Sequence, residues 1–380
     1  MKLVTESGLW RAGPTAAPVP LVAVLEVDGA VLSWTVDEDD DERDSGAQIT
    51  FTDPSRADWL WRVVGEDGHR TLAAGTAAAP PDGTGEIELA GVEVRPGALD
   101  GLRRLAVGHW LRRWWPASVR DGIAGLNPAV LDAEIAVATA GADEFFGDDT
   151  LDSDVAGLLA PHAEELRTQL LLGDPRIAEL VRRCVDLADE FGVDAPGWPE
   201  LADTLADAAA GTPVSARRDD YALAAGRGGG PEPAEVISRG VASMAWAGVP
   251  GGVFDAADGT VDWTIAVEET GPVALVRTAI VGPGTPAGVP VTLHHNGFQA
   301  TGTLDENGRA ALSLVGEDNR PATAREAWDA DWSGTAVTVG VDVEEGPEAR
   351  ERVRQFARQR LRGPRPDAYL AEILAAESDY

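Results

Sequence analysis

The sequence has almost no lysine and almost no cysteine. Of its 31 basic residues only Lys2 is a lysine, and Cys184 is the single cysteine. Walker-type phosphate loops, kinase-type phosphoryl transfer and Schiff-base chemistry normally use a lysine, so the composition argues against these classes. One cysteine can form neither an intrachain disulfide nor a thiolate cage for a metal. We therefore expect a protein from a reducing compartment.

Long apolar runs are also missing. No window approaches the roughly eighteen apolar residues that a membrane helix needs, and MKLVTESGLWRAG does not resemble a signal peptide. The formal net charge is -33 and the isoelectric point is near 4.3. A charge of this sign repels phosphate backbones and anionic membranes. We expect a soluble cytoplasmic protein with a protein partner, and binding to neither nucleic acid nor membrane.

Common catalytic signatures do not occur. No serine lies in a G-x-S-x-G context, no H-E-x-x-H pattern is present, and AAGRGGGPEP is followed by prolines where a dinucleotide site would need a helix. We therefore nominate no catalytic residue and expect no metal and no cofactor. A triad assembled from distant parts of the chain stays open, because geometry defines a triad and sequence order does not.

Hydrophobic periodicity predicts a multidomain α+β protein. The first part alternates like strands in PLVAVLEVDGAVLSWTV, AQITFTD, DWLWRVV and GEIELAGVEV, whereas the next part has helical spacing behind Asn, Asp or Ser caps. In the third part, Asn296-Gly297 and Asn307-Gly308 predict hairpins of a meander. The predicted parts are a small N-terminal β domain (1–95), a central helical bundle (96–210), a linker (211–233), a C-terminal β-sandwich (234–345) and a helical tail (346–380).

One stretch of the third part is similar to a known family of modules. PAGVPVTLHHNGFQATGTLDENGRAALSLV (286–315) resembles the carboxypeptidase-regulatory-like, transthyretin-type β-sandwich modules. The resemblance covers less than a third of the chain. It implies a packing or interaction module and brings no active site with it. The residues that carry it are Gly288, Val291, Leu293, Gly302, Thr303, Asp305 and Gly308.

The segment GHWLRRWWPASVR (108–120) combines tryptophans with arginines. In one helix over 97–115, apolar residues fall on more than one side, which is typical of a helix buried between layers. Arginine stems can cover tryptophan faces in such a position. The alternative is an exposed binding patch. We interpret the segment as core or interdomain packing.

Other conspicuous residues have simple structural interpretations. Cys184 follows helical spacing with apolar neighbours, which favours a core position. His294 and His295 are adjacent in a predicted strand and should point to opposite faces, so they suit a shared metal poorly. The acidic stretches DEDDDERD (37–44), DAADGTVD (255–262) and DADW (329–332) are expected to be solvated loops.

The tail is the most informative element for function. Arginines there surround one acid, Glu351, and a short apolar stripe accompanies them. A basic amphipathic helix in an acidic protein either packs on its own chain or docks on an acidic partner, and the sequence leaves both open. The candidate partner-binding residues are Arg350, Arg354, Phe356, Arg358, Leu361, Leu370 and Ile373.

These observations favour a non-enzymatic accessory or regulatory protein of a larger cytoplasmic assembly, with contacts through the β-sandwich and the tail. One alternative is a hydrolase with a site between the β and helical domains, lined by His109 or His162 with carboxylates. Another is a component of a bacterial stress or defence system.

Overall fold

The computed structural model describes residues 1–37, 46–78, 85–209, 235–316, 319–363 and 365–378. Its mixed α+β class agrees with the sequence, as does the order of an N-terminal sheet, central helices and C-terminal sheets. The predicted linker (211–233) lies outside the described residues. The chain forms two compact units: Met1–Arg112, Leu126–Arg217 and Gln359–Tyr380 make the first, and Arg113–Gly125 with Arg218–Arg358 makes the second.

The first unit contains a six-stranded antiparallel sheet with the order β3-β4-β5-β2-β1-β6. Its strands are β1 (Lys2–Glu6), β2 (Leu9–Ala12), β3 (Val22–Val27), β4 (Ala30–Thr35), β5 (Gln48–Phe51) and β6 (Glu86–Glu88). The Asp28-Gly29 turn joins β3 to β4, with Gly29 at a positive φ of 72°. Alternate residues of β3 and β5 are buried, as expected for a sheet with one face on a core.

One predicted strand of this unit is wrong. The residues DWLWRVV lead into helix α1 (Leu60–Ala78), which breaks at Gly65 where φ is 78° and ψ is 163°. Leu60, Val63 and Val64 are buried, and their i, i+3, i+4 spacing fits one helix face. In so short a window an alternating pattern and a helical pattern overlap, so periodicity alone could not separate them.

The predicted helical region is confirmed. Asn127 and Asp174 cap α3 and α6, since each side chain accepts a hydrogen bond from a backbone N–H of the first turn. No helix of the described residues is both long and apolar enough to cross a membrane. The helices are α2 (Asp100–Trp114), α3 (Pro128–Ala140), α4 (Asp148–Leu159), α5 (Ala163–Leu171), α6 (Pro175–Glu190) and α7 (Trp198–Ala209).

Helix α3 is the centre of the helical part. It is buried on several sides and contacts α4, α5 and α6. Gly108 of α2 faces both Tyr369 and α3: an added Cβ would lie closest to the Tyr369 hydroxyl and 2.9 Å from a side-chain carbon of Ile135. A larger side chain at Gly108 would therefore collide with the buried Tyr369 ring and with Ile135.

The tail forms α9 (Pro347–Arg362) and α10 (Leu370–Ser378), and α10 packs on α3 within the first unit. Between them Tyr369 is fully buried and donates a hydrogen bond of 2.7 Å from its hydroxyl to the carbonyl of Arg104. Burial raises the pKa of the Tyr369 hydroxyl, so it stays protonated as a donor. Tyr369 is thus part of the core of the first unit.

The second unit is a β-sandwich of two four-stranded antiparallel sheets, in the orders β12-β9-β8-β7 and β13-β11-β10-β14. Inward-facing residues of both sheets, such as Trp263 and Leu293, share one hydrophobic core. A short helix α8 (Ala324–Asp329) also belongs to this unit. The strands are β7 (Glu235–Ala242), β8 (Val261–Glu268), β9 (Gly271–Thr278), β10 (Pro290–His295), β11 (Phe298–Thr303), β12 (Arg309–Ser313), β13 (Val315–Gly316) and β14 (Ala336–Val339).

The predicted meander is half correct. Asn296-Gly297 forms the expected two-residue hairpin turn between β10 and β11, with both φ angles positive. Asn307-Gly308, however, joins β11 to β12, which lie in different sheets. There the Asp305 carboxylate accepts hydrogen bonds from the backbone N–H groups of Asn307 and Arg309. An Asn-Gly pair thus marks a tight turn but does not show which strand the chain pairs with next.

Candidate functional site

An open acidic groove lies at the junction of α6 and α7. Helix α6 ends at Glu190 and is followed by Gly192 at a φ of 62°. The Val193 N–H donates back to the carbonyl of Ala188 at 2.8 Å, which is the Schellman pattern of a helix end. The chain then turns at Gly197 (φ 91°) and enters α7 at Trp198. The groove follows from these two glycine turns, since they fold α7 back beside the end of α6.

The groove has an apolar floor and an acidic rim around a cavity of about 720 Å³. The floor includes Val193 and Ala202, and the rim carries Asp186, Asp189 and Asp194. Asp186 is paired with Arg182 at 2.9 Å. Asp189 and Asp194 are exposed and form no ion pair within the described parts of the chain. A groove of this size and composition suits a ligand with both apolar and cationic groups.

The end of α6 adds to the negative potential. The last turn of the helix contains no basic residue, although the carbonyl end of a helix favours positive charge. Glu190 instead places a further negative charge there, beside Asp189 of the rim. Trp198, only 5% exposed, lines the groove, and its indole Nε1 has no hydrogen-bond partner among the described residues. This site was not predicted from the sequence. The one sequence feature that indicates it is a helix end that carries acidic residues and no basic residue.

The arginines of α9 are largely engaged inside the chain. Arg354 donates to the Ala256 carbonyl at 3.1 Å and to the Asp258 carboxylate at 3.0 Å, and its side chain is 5% exposed. Arg350 lies 3.4 Å from Asp258. Beside these arginines, hydrogen bonds and ion pairing hold the pKa of Asp258 below its usual range against the effect of burial. The arginine-rich face of α9 therefore packs on acids of its own unit.

The candidate tail residues differ in exposure. Arg350, Arg354 and Phe356 are buried, and so their side chains are occupied by contacts within the chain. Arg358 keeps 30% of its side chain exposed while it lies 3.5 Å from both Asp121 and Glu351. The remaining three are half-buried: Leu361, Leu370 and Ile373. Their contact with a partner stays a prediction.

The interpretation of GHWLRRWWPASVR as core is confirmed by burial. Trp110 is 2% exposed and donates from Nε1 to the Pro20 carbonyl at 2.6 Å. Trp115 is also buried and donates to the Ala124 carbonyl at 2.8 Å. The guanidinium of Arg113 lies 4.3 Å from the centre of the Trp114 ring, as expected for an arginine that covers an indole.

A second polar cluster surrounds the buried Asp132 on α3. Oδ2 of the Asp132 carboxylate accepts a hydrogen bond of 3.1 Å from Arg112 Nε and lies 2.9 Å from His162 Nε2. The other oxygen, Oδ1, lies 2.9 Å from Arg112 Nε but has no hydrogen-bond partner among the described residues. His109 is half-buried nearby, and its pKa is lowered by burial and by the Arg112 charge, against the pull of Asp154 and Asp132. The sequence singled out both histidines but could not show that Asp132 would join them.

The remaining candidates have structural roles. Cys184 is fully buried as predicted, and burial raises the pKa of its thiol to about 12, so no thiolate forms near neutral pH. His294 is exposed and His295 is buried, so the two rings lie on opposite faces as expected. The described residues contain no cluster of His, Cys, Asp and Glu suited to a metal ion.

The acidic stretches behave less simply than expected. In DAADGTVD the prediction of a solvated loop is wrong for Asp255, which is 5% exposed and accepts hydrogen bonds from the N–H groups of Val119 and Ala257. In DADW, Asp331 caps a short turn and Trp332 is buried. Most of DEDDDERD (37–44) lies outside the described residues.

No protein-family model matches the chain, and no curated protein or solved structure shows significant similarity to it.

Proposed function

We propose that this protein is a non-enzymatic accessory or regulatory protein that binds a protein partner in a larger cytoplasmic assembly. The observation that supports the proposal best is the open groove beside α6 and α7, where an apolar floor and unpaired acids lie at the surface. Two reactive side chains of the described chain are engaged: the Cys184 thiol is buried, and the Asp132 carboxylate is paired with Arg112 and His162. Unpaired acids at the surface, together with a buried thiol and a paired carboxylate, favour binding of a partner over catalysis.

The β-sandwich and the tail belong to the same proposal. Exposed apolar side chains occur on the sandwich unit, with Val241 66% and Trp328 47% exposed. The similarity of 286–315 to transthyretin-type modules also favours an interaction role for this unit. In the tail, Arg358 is the candidate with an accessible charged group, whereas Arg354 supports α9 from within.

The test is reconstitution from pure components. The full chain is used to capture proteins from its native source, and each captured protein is then purified and titrated against the full chain by calorimetry. A saturable complex of defined stoichiometry supports the proposal. If no purified candidate forms such a complex, the accessory function is refuted. A truncation before α9 is unsuitable here, because Val353, Phe356 and Ala357 are buried.

A second candidate function is hydrolysis, and the His162–Asp132 pair is the observation that favours it. A carboxylate that holds a histidine is the arrangement that prepares a general base. Among the described residues, however, no serine, threonine or cysteine is hydrogen-bonded to His162. Hydrolysis of activated esters that is lost in His162→Gln, with the fold intact, would favour this function. Equal background rates for both proteins would exclude this pair as its centre.

A further inference from the structure

The acidic groove carries an inference about the partner. We propose that the groove between α6 and α7 binds an arginine-bearing, partly apolar segment of a protein partner. This inference rests on the proposed function, because it names the kind of partner that an interaction protein would take. The charge of the rim, the apolar floor and the indole N–H of Trp198, which has no partner among the described residues, support it.

The rim determines the charge of the ligand. Asp189 and Asp194 are exposed without an ion pair in the described chain, and Asp189 lies in the last turn of α6, where the helix dipole is also negative. A cation placed here neutralises both the carboxylates and the helix end. A guanidinium suits the position better than an ammonium group, because its planar fork can donate to two carboxylates at once.

The floor and the indole determine the rest of the ligand. Val193, Pro199 and Ala202 offer apolar surface next to the acids, which suits an aliphatic side chain beside the arginine. Trp198 supplies a donor whose Nε1 is buried and lacks an acceptor among the described residues. A buried donor left without a partner costs free energy, so an acceptor that reaches it is favoured. This atom is inaccessible in the free chain, so a main-chain carbonyl of a bound segment would become its acceptor only on binding.

The proposed ligand therefore combines three features in one short stretch of chain: a guanidinium at the end of α6, an aliphatic side chain on the floor and a carbonyl at Trp198. A simple inorganic cation would satisfy only the rim, and an apolar ligand would satisfy only the floor. A peptide segment satisfies all three, since every residue carries a carbonyl.

The experiment measures fluorescence anisotropy of a synthetic fluorescein-labelled peptide with the repeat leucine-arginine-alanine, titrated with the full chain. Matched peptides carry glutamate or serine in place of arginine. We expect saturable binding of the arginine peptide alone, which weakens with added salt because exposed charges are screened over about 10 Å at 0.1 M. Failure of the arginine peptide to bind, or equal binding of all three peptides, would overturn the inference.

Two groove variants and one control locate the binding. Asp189→Asn/Asp194→Asn should weaken binding about tenfold, from the loss of two ion pairs. Trp198→Phe keeps most of the apolar packing, loses the N–H and should weaken binding about fivefold. The control, Asp203→Asn/Asp207→Asn, removes the same charge from exposed positions of α7 that do not line the groove, and should change binding less than twofold.

The outcomes separate this inference from the proposed function. Equal weakening by the groove pair and the control pair would mean that overall charge, and no defined groove, attracts the peptide. A partner that binds the wild type and the groove variants with equal affinity would leave the accessory function standing and overturn the groove as its site. Thermal melting of each variant checks its fold, and the exposed aspartate pair gives a decisive result even if Trp198→Phe is unstable.

Discussion

His109 shows how one residue couples the fold to pH. Burial and the Arg112 charge lower its pKa in the folded protein below the ordinary value of 6.5. The unfolded chain therefore binds a proton more readily than the folded chain as the pH falls below that value. By linkage, the stability that the neutral ring provides is complete above pH 6.5 and is lost as the pH falls towards the lowered folded-state pKa.

We expect the free energy of unfolding to fall between pH 7 and pH 5 with a component that His109→Gln removes. Urea denaturation at several pH values measures this slope. His294→Gln is the matched control, because His294 is exposed in a strand and its loss should leave the slope unchanged. An unaltered slope in His109→Gln would show that other groups cause the acid sensitivity.

At the scale of elements, the two tail helices are joined by a buried ion pair. Arg360 on α9 and Glu372 on α10 have side chains 2% and 1% exposed, and Arg360 Nη2 donates to Glu372 at 2.7 Å. Glu372 also accepts a hydrogen bond of 2.9 Å from the Tyr369 N–H. Ion pairing and hydrogen bonding raise the pKa of Arg360 despite its burial. Arg360 also lies 3.6 Å from Asp367, so it keeps one acidic partner if Glu372 is removed. If Arg360 is removed, the buried Glu372 carboxylate loses its counter-charge.

We expect Arg360→Met to lower the free energy of unfolding by about 3–5 kcal/mol, because Glu372 loses its counter-charge in the core. The double variant Arg360→Met/Glu372→Gln should recover most of this loss, since the amide is neutral and still accepts from Tyr369. Denaturant titrations of the single and double variants form the cycle. Arg176→Met, which breaks the surface pairs with Asp174 and Glu377, is the control and should cost less than about 1 kcal/mol. A double variant no more stable than Arg360→Met would contradict the argument.

The same elements show what could be predicted from the sequence. Helices α3 and α6 were predictable because an Asn or Asp cap with a following proline marks each start and apolar spacing marks the buried face. Helix α1 was not, since a helix broken at Gly65 leaves too few turns for a clear period. Local rules of capping, spacing and turn geometry act within a few residues, and they decide most element boundaries here.

Long-range pairing is the part that could not be predicted. Arg354 finds Asp258 across 96 residues of sequence, and Asp132 finds His162 across 30. In a chain with 64 acidic residues, composition offers every arginine many equivalent partners. The groove was not predicted because its aspartates resemble ordinary surface acids in the sequence. Only the folded structure places them around Trp198.

At the scale of the whole molecule, the main electrostatic feature is the excess of negative charge. The chain has 64 acidic residues against 31 basic ones, and the buried arginines of α9 and the Arg360–Glu372 pair engage some of the positive charge internally. The remaining surface is strongly negative, so exposed like charges repel one another in the folded state. Salt screens these exposed repulsions much more than it screens the buried attractive pairs.

Added sodium chloride should therefore raise the Tm of this protein. A gain of roughly 1 kcal/mol corresponds to an increase of about 2–4 °C in domains of 150–250 residues. The increase should level off near 0.15 M, where the Debye length is already about 8 Å, whereas a solute acting by exclusion from the surface would continue to raise Tm. Differential scanning fluorimetry across a salt series measures the curve. A Tm that falls with salt would mean that attraction between exposed opposite charges outweighs the repulsion, despite the excess of acids.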